Sequence, residues 1–280
     1  MKYSIYKFFI IVFLVLVSDN IDAQNRQELS KIALEIEQEG KELFILEKTA
    51  WLGSDILREV HKNPEKVGGY FSYLKDGGSV CVFFSRDKNP NVIASVSFDP
   101  LFTESNTVVN LTERTLYREE KELYQIRKKA LEMVNADSLF KTYSNSNLNI
   151  IPMVYKGIPK VYVLTSPEQA GVILFGNDYE IIFNQNSEMV SKRALHKGLI
   201  PIYYEGRNGL AKASVHSHVS GKDEFITPTD ICSLMLYQDF IPWERHYVMT
   251  PKFVSVWNCK QNKLNILTRE EFDKSVNSGK

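Results

Sequence analysis

Residues 211–218 read AKASVHSH and are predicted to form a strand, and residues 227–230 read TPTD and are predicted to begin a helix. Residues two apart on a strand point to the same side, so the imidazoles of His216 and His218 can face one point in space. Because a strand end and a helix start readily converge, the carboxylate of Asp230 can reach the same point. Two imidazoles and a carboxylate suit a divalent metal such as zinc.

Both features also have a simpler interpretation. The histidine pair alone is compatible with an exposed polar end of a strand. The TPTD stretch is compatible with a plain capping box, in which Thr227 is the N-cap, Pro228 is the first helical residue and Asp230 returns to the N-cap amide. Capping and metal ligation are compatible roles, so the sequence leaves both open.

The second half of the chain, around this segment, is predicted to be a mostly antiparallel sheet with one helix at residues 227–240. Residues 176–179 have the composition of a hairpin turn between two of its strands, and residues 207–209 that of another turn. His196 is able to orient a group near the histidine pair, but a surface position is the simpler interpretation. The remaining predicted strands are residues 148–155, 160–165, 171–175, 180–184, 200–204, 246–257 and 264–267.

The first half is predicted to be an α+β region. Residues 24–61 have a helical pattern of apolar residues, and two helices separated near Gly40 fit it best. Residues 111–134 form a further amphipathic helix in this prediction. A three-stranded meander is predicted between the helices, at residues 70–74, 80–85 and 92–98.

The polar residues 143–147 separate the two halves, so the sequence predicts three parts. Residues 1–23 are a signal peptide, residues 24–145 an N-terminal α+β accessory domain, and residues 146–280 a second domain that carries the histidines. The fold class predicted for the whole chain is α+β.

A short basic lead followed by an apolar run at residues 8–17 predicts a secretory signal peptide that is cleaved after Ala23. The run is too short to span a bilayer, which takes about 20 apolar residues. We therefore expect an exported protein, periplasmic or extracellular, with no stable membrane insertion after cleavage. The alternative is an uncleaved amphipathic or anchor helix.

Composition limits the classes of partner. The 280 residues hold 34 Lys and Arg against 34 Asp and Glu, so no basic excess suggests a nucleic-acid partner. A hydrophobic fraction of 44% is that of a folded globular protein. The cysteines Cys81, Cys232 and Cys259 form no C-x-x-C pair, which excludes a zinc ribbon, and are predicted to be buried small apolar residues.

The motifs His216-Ser217-His218 and Thr227-x-x-Asp230 resemble the JAB/MPN (JAMM) metallopeptidase family. Its signature is a glutamate upstream of H-[ST]-H, then about seven residues and S-x-x-D. Here Glu168 lies in the stretch SPEQAGVILFG, 48 residues before His216. The chain departs from the family pattern in an eight-residue spacer and in having Thr227 where the family has serine. The resemblance extends over roughly residues 147–268 and leaves the first half unexplained.

The resemblance implies a JAB/MPN-like (cytidine-deaminase-like) mixed sheet with flanking helices and a zinc-dependent peptidase or isopeptidase. It implies that His216, His218 and Asp230 hold Zn2+. Glu168 would be the general base, and Thr227 would donate a hydrogen bond to the oxyanion. The alternative for Glu168 is an exposed carboxylate at a helix end. The implied partner is a peptide or protein substrate, and the oligomeric state stays open.

Two rival interpretations remain at this stage. The first is a catalytically inactive JAB/MPN-fold protein that serves as a binding or scaffold module of the cell envelope. The second is an envelope-associated protein whose functional half is the N-terminal region and whose H-S-H sequence is incidental.

Overall fold

The computed structural model describes residues 3–204, 211–218 and 223–278, with side chains described from residue 24 onward. Helices and mostly antiparallel strands make up this part of the chain, which confirms the predicted α+β class. The predicted turn at residues 207–209 lies outside the described residues, and of the predicted signal peptide, residues 1–23, no side chain is described.

The chain divides into two compact units. The bounds differ from those of the domains predicted from the sequence, residues 24–145 and 146–280, which stay a prediction. The terminal unit consists of Met1–Gln38, Ala213–Phe225 and Glu244–Lys280, and the central unit consists of Glu39–Lys212 and Ile226–Trp243.

A single helix, α1 (Tyr3–Val60), occupies the region for which two helices were predicted, so the predicted break at Gly40 is wrong. Gly40 serves close packing instead. A Cβ atom added there would lie 2.7 Å from the Cβ of Ile231 and 3.1 Å from the carbonyl oxygen of Pro228. Both belong to the helix α3 (Pro228–Tyr237) that begins with the TPTD stretch, so the missing side chain lets α1 approach the start of α3.

The predicted meander is confirmed as the first three strands of a five-stranded sheet in the central unit. Its three long strands pair antiparallel in sequence order, and two short strands both pair with the third. The strands are β1 (Val67–Lys75), β2 (Gly78–Ser85), β3 (Asn91–Phe98), β4 (Val108–Asn110) and β5 (Arg114–Thr115).

The second helix, α2 (Arg118–Ala136), begins seven residues later than the predicted residue 111. Glu120 explains the difference. Its buried carboxylate accepts from the backbone N–H of Tyr117 at 2.8 Å and forms a salt bridge of 2.7 Å with Arg114. These bonds cap α2 at its first turn and hold the preceding residues in strand β5. From α2, Leu123 joins the main buried apolar cluster of the central unit.

Two further sheets of the central unit show that the predicted hairpin at residues 176–179 is wrong. The strands on either side, β8 and β9, belong to different sheets, one ordered β10-β9-β7-β6 and the other a β8–β11 pair. Asn177 and Asp178, which link them, are buried. The strands are β6 (Ser146–Tyr155), β7 (Ile158–Pro167), β8 (Val172–Gly176), β9 (Tyr179–Phe183), β10 (Met189–Ala194) and β11 (Leu199–Tyr203).

The terminal unit contains a four-stranded sheet in which β12 pairs parallel with β13. The single strand predicted at residues 246–257 is in fact two strands, because the chain turns at Thr250, whose backbone N–H donates to the carbonyl of Phe253 at 3.0 Å. The final helix was not predicted. The elements are β12 (Ala213–Ser217), β13 (Arg245–Met249), β14 (Phe253–Asn258), β15 (Lys263–Thr268) and α4 (Arg269–Ser278).

The three cysteines are buried, as predicted, and none forms a disulfide within the described chain. Burial raises the pKa of each thiol, which suits small apolar residues rather than nucleophiles. Among the side chains that the structure describes, none of the helices has an apolar stretch long enough to cross a membrane.

Candidate metal centre

The two histidines of the H-S-H sequence lie on one side of the end of β12, as predicted. The Nε2 atoms of His216 and His218 are 3.1 Å apart. His216 is buried and His218 is half-buried. The two-residue period of the strand therefore brings both rings together at a site with restricted access to solvent.

The hydrogen bond of His218 fixes the position of its proton. Its Nδ1 lies 3.0 Å from the carbonyl oxygen of Phe225. A carbonyl can only accept, so Nδ1 carries the hydrogen, and the neutral ring keeps its lone pair on Nε2. The backbone N–H of His218 also donates to the carbonyl of Met249 at 3.1 Å, which anchors the chain just past the end of β12. The atom of His218 that faces His216 is thus a nitrogen able to bind a metal.

A third histidine lies behind the first. The Nε2 atom of His246 is 2.9 Å from Nδ1 of His216, and its own Nδ1 is 2.6 Å from the hydroxyl oxygen of Ser214. His246 is fully buried. The parallel register of β12 and β13, in which Ser214 lies opposite His246, builds this arrangement. The sequence analysis missed both residues, because that register is not visible in a single sequence.

At the start of α3 the predicted capping box is confirmed. The Oδ2 atom of Asp230 accepts from the backbone N–H of Thr227 at 2.9 Å and from its hydroxyl at 2.8 Å. In return the backbone N–H of Asp230 donates to the Thr227 hydroxyl oxygen at 3.2 Å. The cap therefore also holds the Asp230 carboxylate in a fixed orientation.

The structure corrects the interpretation of His196 as a surface residue. Its side chain is only 6% exposed and lies between two buried carboxylates. Its Nε2 is 3.2 Å from Oδ1 of Asp230, and its Nδ1 is 3.5 Å from Oδ2 of Asp178. Asp178 also accepts from the backbone N–H of Thr165 at 2.9 Å. Burial raises the pKa of Asp178 to about 7, although His196 acts in the opposite direction.

Each unit contains side chains that could bind a metal ion. In the terminal unit, His216 and His218 present imidazole nitrogens 3.1 Å apart. In the central unit, His196 presents a ring nitrogen beside the carboxylate of Asp230. Imidazole nitrogens and carboxylate oxygens suit zinc and several other divalent first-row metals, so the donors alone leave the identity of the ion open.

The two residues predicted from the resemblance to act in catalysis are placed differently. Glu168 is exposed in the loop after β7, where its backbone N–H donates to the carbonyl of Asn145 at 3.1 Å. Thr227 is buried beside Asp230. Their roles as general base and oxyanion donor stay predictions. Residues 219–222 of the intervening spacer lie outside the described chain.

Comparison with known proteins gives no relative to set beside this site. No family model matches the sequence, and neither the curated proteins nor the solved structures include a match.

Proposed function

We propose that His216, His218 and Asp230 bind one divalent metal ion, with zinc as the first candidate, and that the chain is a metal-dependent hydrolase resembling the JAB/MPN metallopeptidases. The reaction proposed is hydrolysis of a peptide or isopeptide bond. The observation that carries the proposal is the approach of two imidazole nitrogens, Nε2 of His216 and Nε2 of His218, which lie 3.1 Å apart.

The spacing of these two nitrogens supports a shared ion. Two imidazole nitrogens that bind one zinc tetrahedrally, each at about 2.0–2.1 Å, lie about 3.4 Å apart. The Nε2 atoms of His216 and His218, which lie 3.1 Å apart, would have to separate only slightly to bind one zinc ion.

Outer hydrogen bonds support the choice of three ligands. We assign His216, His218 and Asp230 as ligands, which leaves a position for water at a catalytic zinc. His196 then acts as a positioning residue, because its Nε2 forms a hydrogen bond of 3.4 Å with Oδ2 of Asp230. Thr227 donates to the same oxygen at 2.8 Å. Ligating carboxylates are typically held by such outer partners.

Bound zinc would supply a water of lowered pKa and would polarise the scissile carbonyl. In the proposed reaction Glu168 takes the proton of the attacking water and passes it to the leaving amine. Its exposed loop is accessible to a substrate. The Thr227 hydroxyl donates to Asp230 and keeps that side chain in place, so its proposed donation to an oxyanion requires the hydroxyl to rotate.

We also propose that the protein is exported through residues 1–23 and meets its substrate outside the cytoplasm. The support is the basic lead and apolar run of the sequence. Envelope proteins, peptidoglycan peptides and external proteins are then the substrate classes to screen. The inferred fold of the second half, a JAB/MPN-like sheet, belongs to the same proposal.

Replacement of Glu168 tests the hydrolase. We expect Glu168→Gln to retain bound metal and to lose about 10²–10⁴-fold of peptidase turnover, since the amide cannot take a proton. The exposed residue Glu65 gives the matched control Glu65→Gln, which should keep full turnover. Turnover of a mixed peptide library by the parent should also stop on addition of a chelator. Undiminished turnover in Glu168→Gln would contradict the role of Glu168 as general base.

A catalytically inactive binding or scaffold protein of the same fold is the second candidate. The eight-residue spacer between His218 and Thr227, one residue longer than in the family pattern, favours it. Metal bound in the parent chain, with no turnover on any screened peptide class, would support this candidate over the hydrolase.

A further inference from the structure

We propose that Ser214, His246 and His216 form a hydrogen-bond relay that reverses direction when the metal binds. The relay rests on the proposed metal site and adds two residues to it that are not ligands. Its evidence is three consecutive contacts in the terminal unit. Ser214 Oγ lies 2.6 Å from His246 Nδ1, His246 Nε2 lies 2.9 Å from His216 Nδ1, and His216 Nε2 lies 3.1 Å from His218 Nε2.

Without metal, the carbonyl of Phe225 sets the direction of the relay. It forces the hydrogen of His218 onto Nδ1, so the hydrogen in the His216–His218 contact comes from Nε2 of His216. Neutral His216 then has its lone pair on Nδ1 and accepts from Nε2 of His246. His246 in turn accepts from the Ser214 hydroxyl. Each of the contacts has one donor and one acceptor.

Metal binding requires the opposite direction, because Nε2 of His216 must lose its hydrogen to become a ligand. Neutral His216 then carries its hydrogen on Nδ1 and donates to Nε2 of His246. His246 carries its hydrogen on Nδ1 and donates to the oxygen of Ser214. The relay suits this exchange, since an imidazole and a hydroxyl can each donate or accept, whereas a carboxylate could only accept.

The exchange balances without any change of charge on the three side chains. One proton leaves Nε2 of His216 for solvent, the proton on Nε2 of His246 moves to Nδ1 of His216, and the hydroxyl proton of Ser214 moves to Nδ1 of His246. Ser214, which is half-buried, regains a proton from solvent. Because His216 and His246 are both buried, a route that leaves both rings neutral avoids the cost of burying a charge.

Nitrogen NMR of the full chain tests the relay directly. Long-range ¹H–¹⁵N spectra of protein labelled at histidine are recorded before and after one equivalent of zinc. We expect His216 and His246 to change from the Nε2–H to the Nδ1–H tautomer, and His218 to keep Nδ1–H throughout. His61, which is half-buried at the end of α1 and belongs to none of these contacts, serves as the unchanged control.

The outcomes separate the relay from the proposed function. Zinc bound at His216 and His218 with the tautomer of His246 unchanged would overturn the relay alone. Failure of the parent chain to bind zinc would overturn the metal site and, with it, the reversal.

Substitution of His246 gives a second test by chelator competition. We expect His246→Leu to weaken zinc binding by about 10–100-fold, as for the loss of other outer partners of ligating histidines. His246→Gln should recover most of that loss, because its amide can accept a hydrogen bond from His216 when zinc is bound and donate one when zinc is absent. Equal zinc affinity in the two variants would overturn the proposal.

Ser214 provides variants for the case in which His246→Leu fails to fold. Ser214→Thr keeps the hydroxyl and should bind zinc as the parent does, whereas Ser214→Ala should bind it more weakly. Val215→Ala shortens an exposed neighbour on the opposite face of β12 and should leave zinc affinity unchanged. Equal affinity in Ser214→Thr and Ser214→Ala would remove Ser214 from the relay.

Discussion

Two clusters of largely buried polar side chains differ in what holds them together, because one consists of fixed opposite charges and the other of hydrogen bonds between uncharged groups. One is the ion-pair cluster of the central unit, and the other is the histidine cluster of the terminal unit. The members of the ion-pair cluster are Glu39, Lys160, Tyr162, Glu180 and Arg193. Those of the histidine cluster are Ser214, His216, His218 and His246.

The ion-pair cluster is neutral as a whole. Lys160 lies 2.6 Å from Glu39 and 3.2 Å from Glu180, and Arg193 lies 2.9 Å from the second oxygen of Glu180. Burial alone would raise the pKa of Glu180, but Lys160 and Arg193 outweigh it and hold that pKa below its usual range. Two acids matched by two bases indicate a structural role, in which the cluster ties α1 to strands β7, β9 and β10.

The histidine cluster contains no carboxylate and no fixed charge. Its hydrogen bonds run from ring to ring, and Nε2 of His216 donates to Nε2 of His218. In the proposed site a metal ion would replace the hydrogen between these two nitrogens. Fixed charges that neutralise one another therefore indicate a structural cluster, whereas neighbouring imidazole nitrogens that can both become metal ligands indicate a candidate binding site.

Removal of the Lys160 ammonium group should disrupt the ion-pair cluster and leave the metal site intact. We expect Lys160→Met to lower the free energy of unfolding by about 3–5 kcal/mol, because two buried carboxylates lose their shared partner. Urea unfolding measures the loss. Zinc affinity should stay at the parental value.

The control for this variant is Lys88→Met, at an exposed turn. It should change the free energy of unfolding by less than about 0.5 kcal/mol. A stability loss in Lys160→Met no larger than that of the control would contradict the structural role of the cluster.

Glu47 sharpens the comparison, because this buried carboxyl is hydrogen-bonded by the neutral amide of Asn149. Burial raises the pKa of Glu47 to about 7, and the bond from Asn149 offsets only part of that shift. Because its pKa is raised, Glu47 keeps its proton in the native state at pH values at which the unfolded chain has already lost it. Stability is therefore lost as the pH rises from about 4.5 to about 7, and the loss is complete above that range.

We expect Glu47→Gln to raise the free energy of unfolding by about 3 kcal/mol at pH 8 and to change it little at pH 4. Unfolding curves of parent and variant at both pH values measure this difference. Asp178 gives both proteins a similar dependence of stability on pH, so the difference between their free energies of unfolding reports on Glu47. Glu59→Gln, at an exposed site of the same helix, is the control. A variant destabilised at pH 8 would contradict the account.

Local chemistry explains which parts of the fold were predictable. The meander follows from turn residues that lie between apolar runs, and the start of α3 follows from its own four residues. Gly40 was misread because its role depends on Ile231, nearly two hundred residues later. The turn at Thr250 was missed although Pro251, which cannot donate to a sheet, was a visible signal.

The candidate site divides in the same way. The approach of His216 to His218 and the capping role of Asp230 were predictable, because strand alternation and helix capping each act within a few residues. The positions of His246 and His196 were not predictable. The register of β12 and β13 places His246 opposite Ser214, and the link between two sheets places Asp178 beside His196. The composition of residues 176–179 favours a turn, and nothing in it indicates that Asp178 is buried.

The most direct test of the account is the metal content of the purified chain, measured by elemental analysis beside the double variant His216→Ala/His218→Ala. Both proteins are loaded with zinc and then freed of loosely bound ions, and circular dichroism checks that both are folded. We predict one zinc per parent chain and none in the folded double variant. No zinc in the parent, or equal zinc in both, would contradict the claim that these histidines hold a metal.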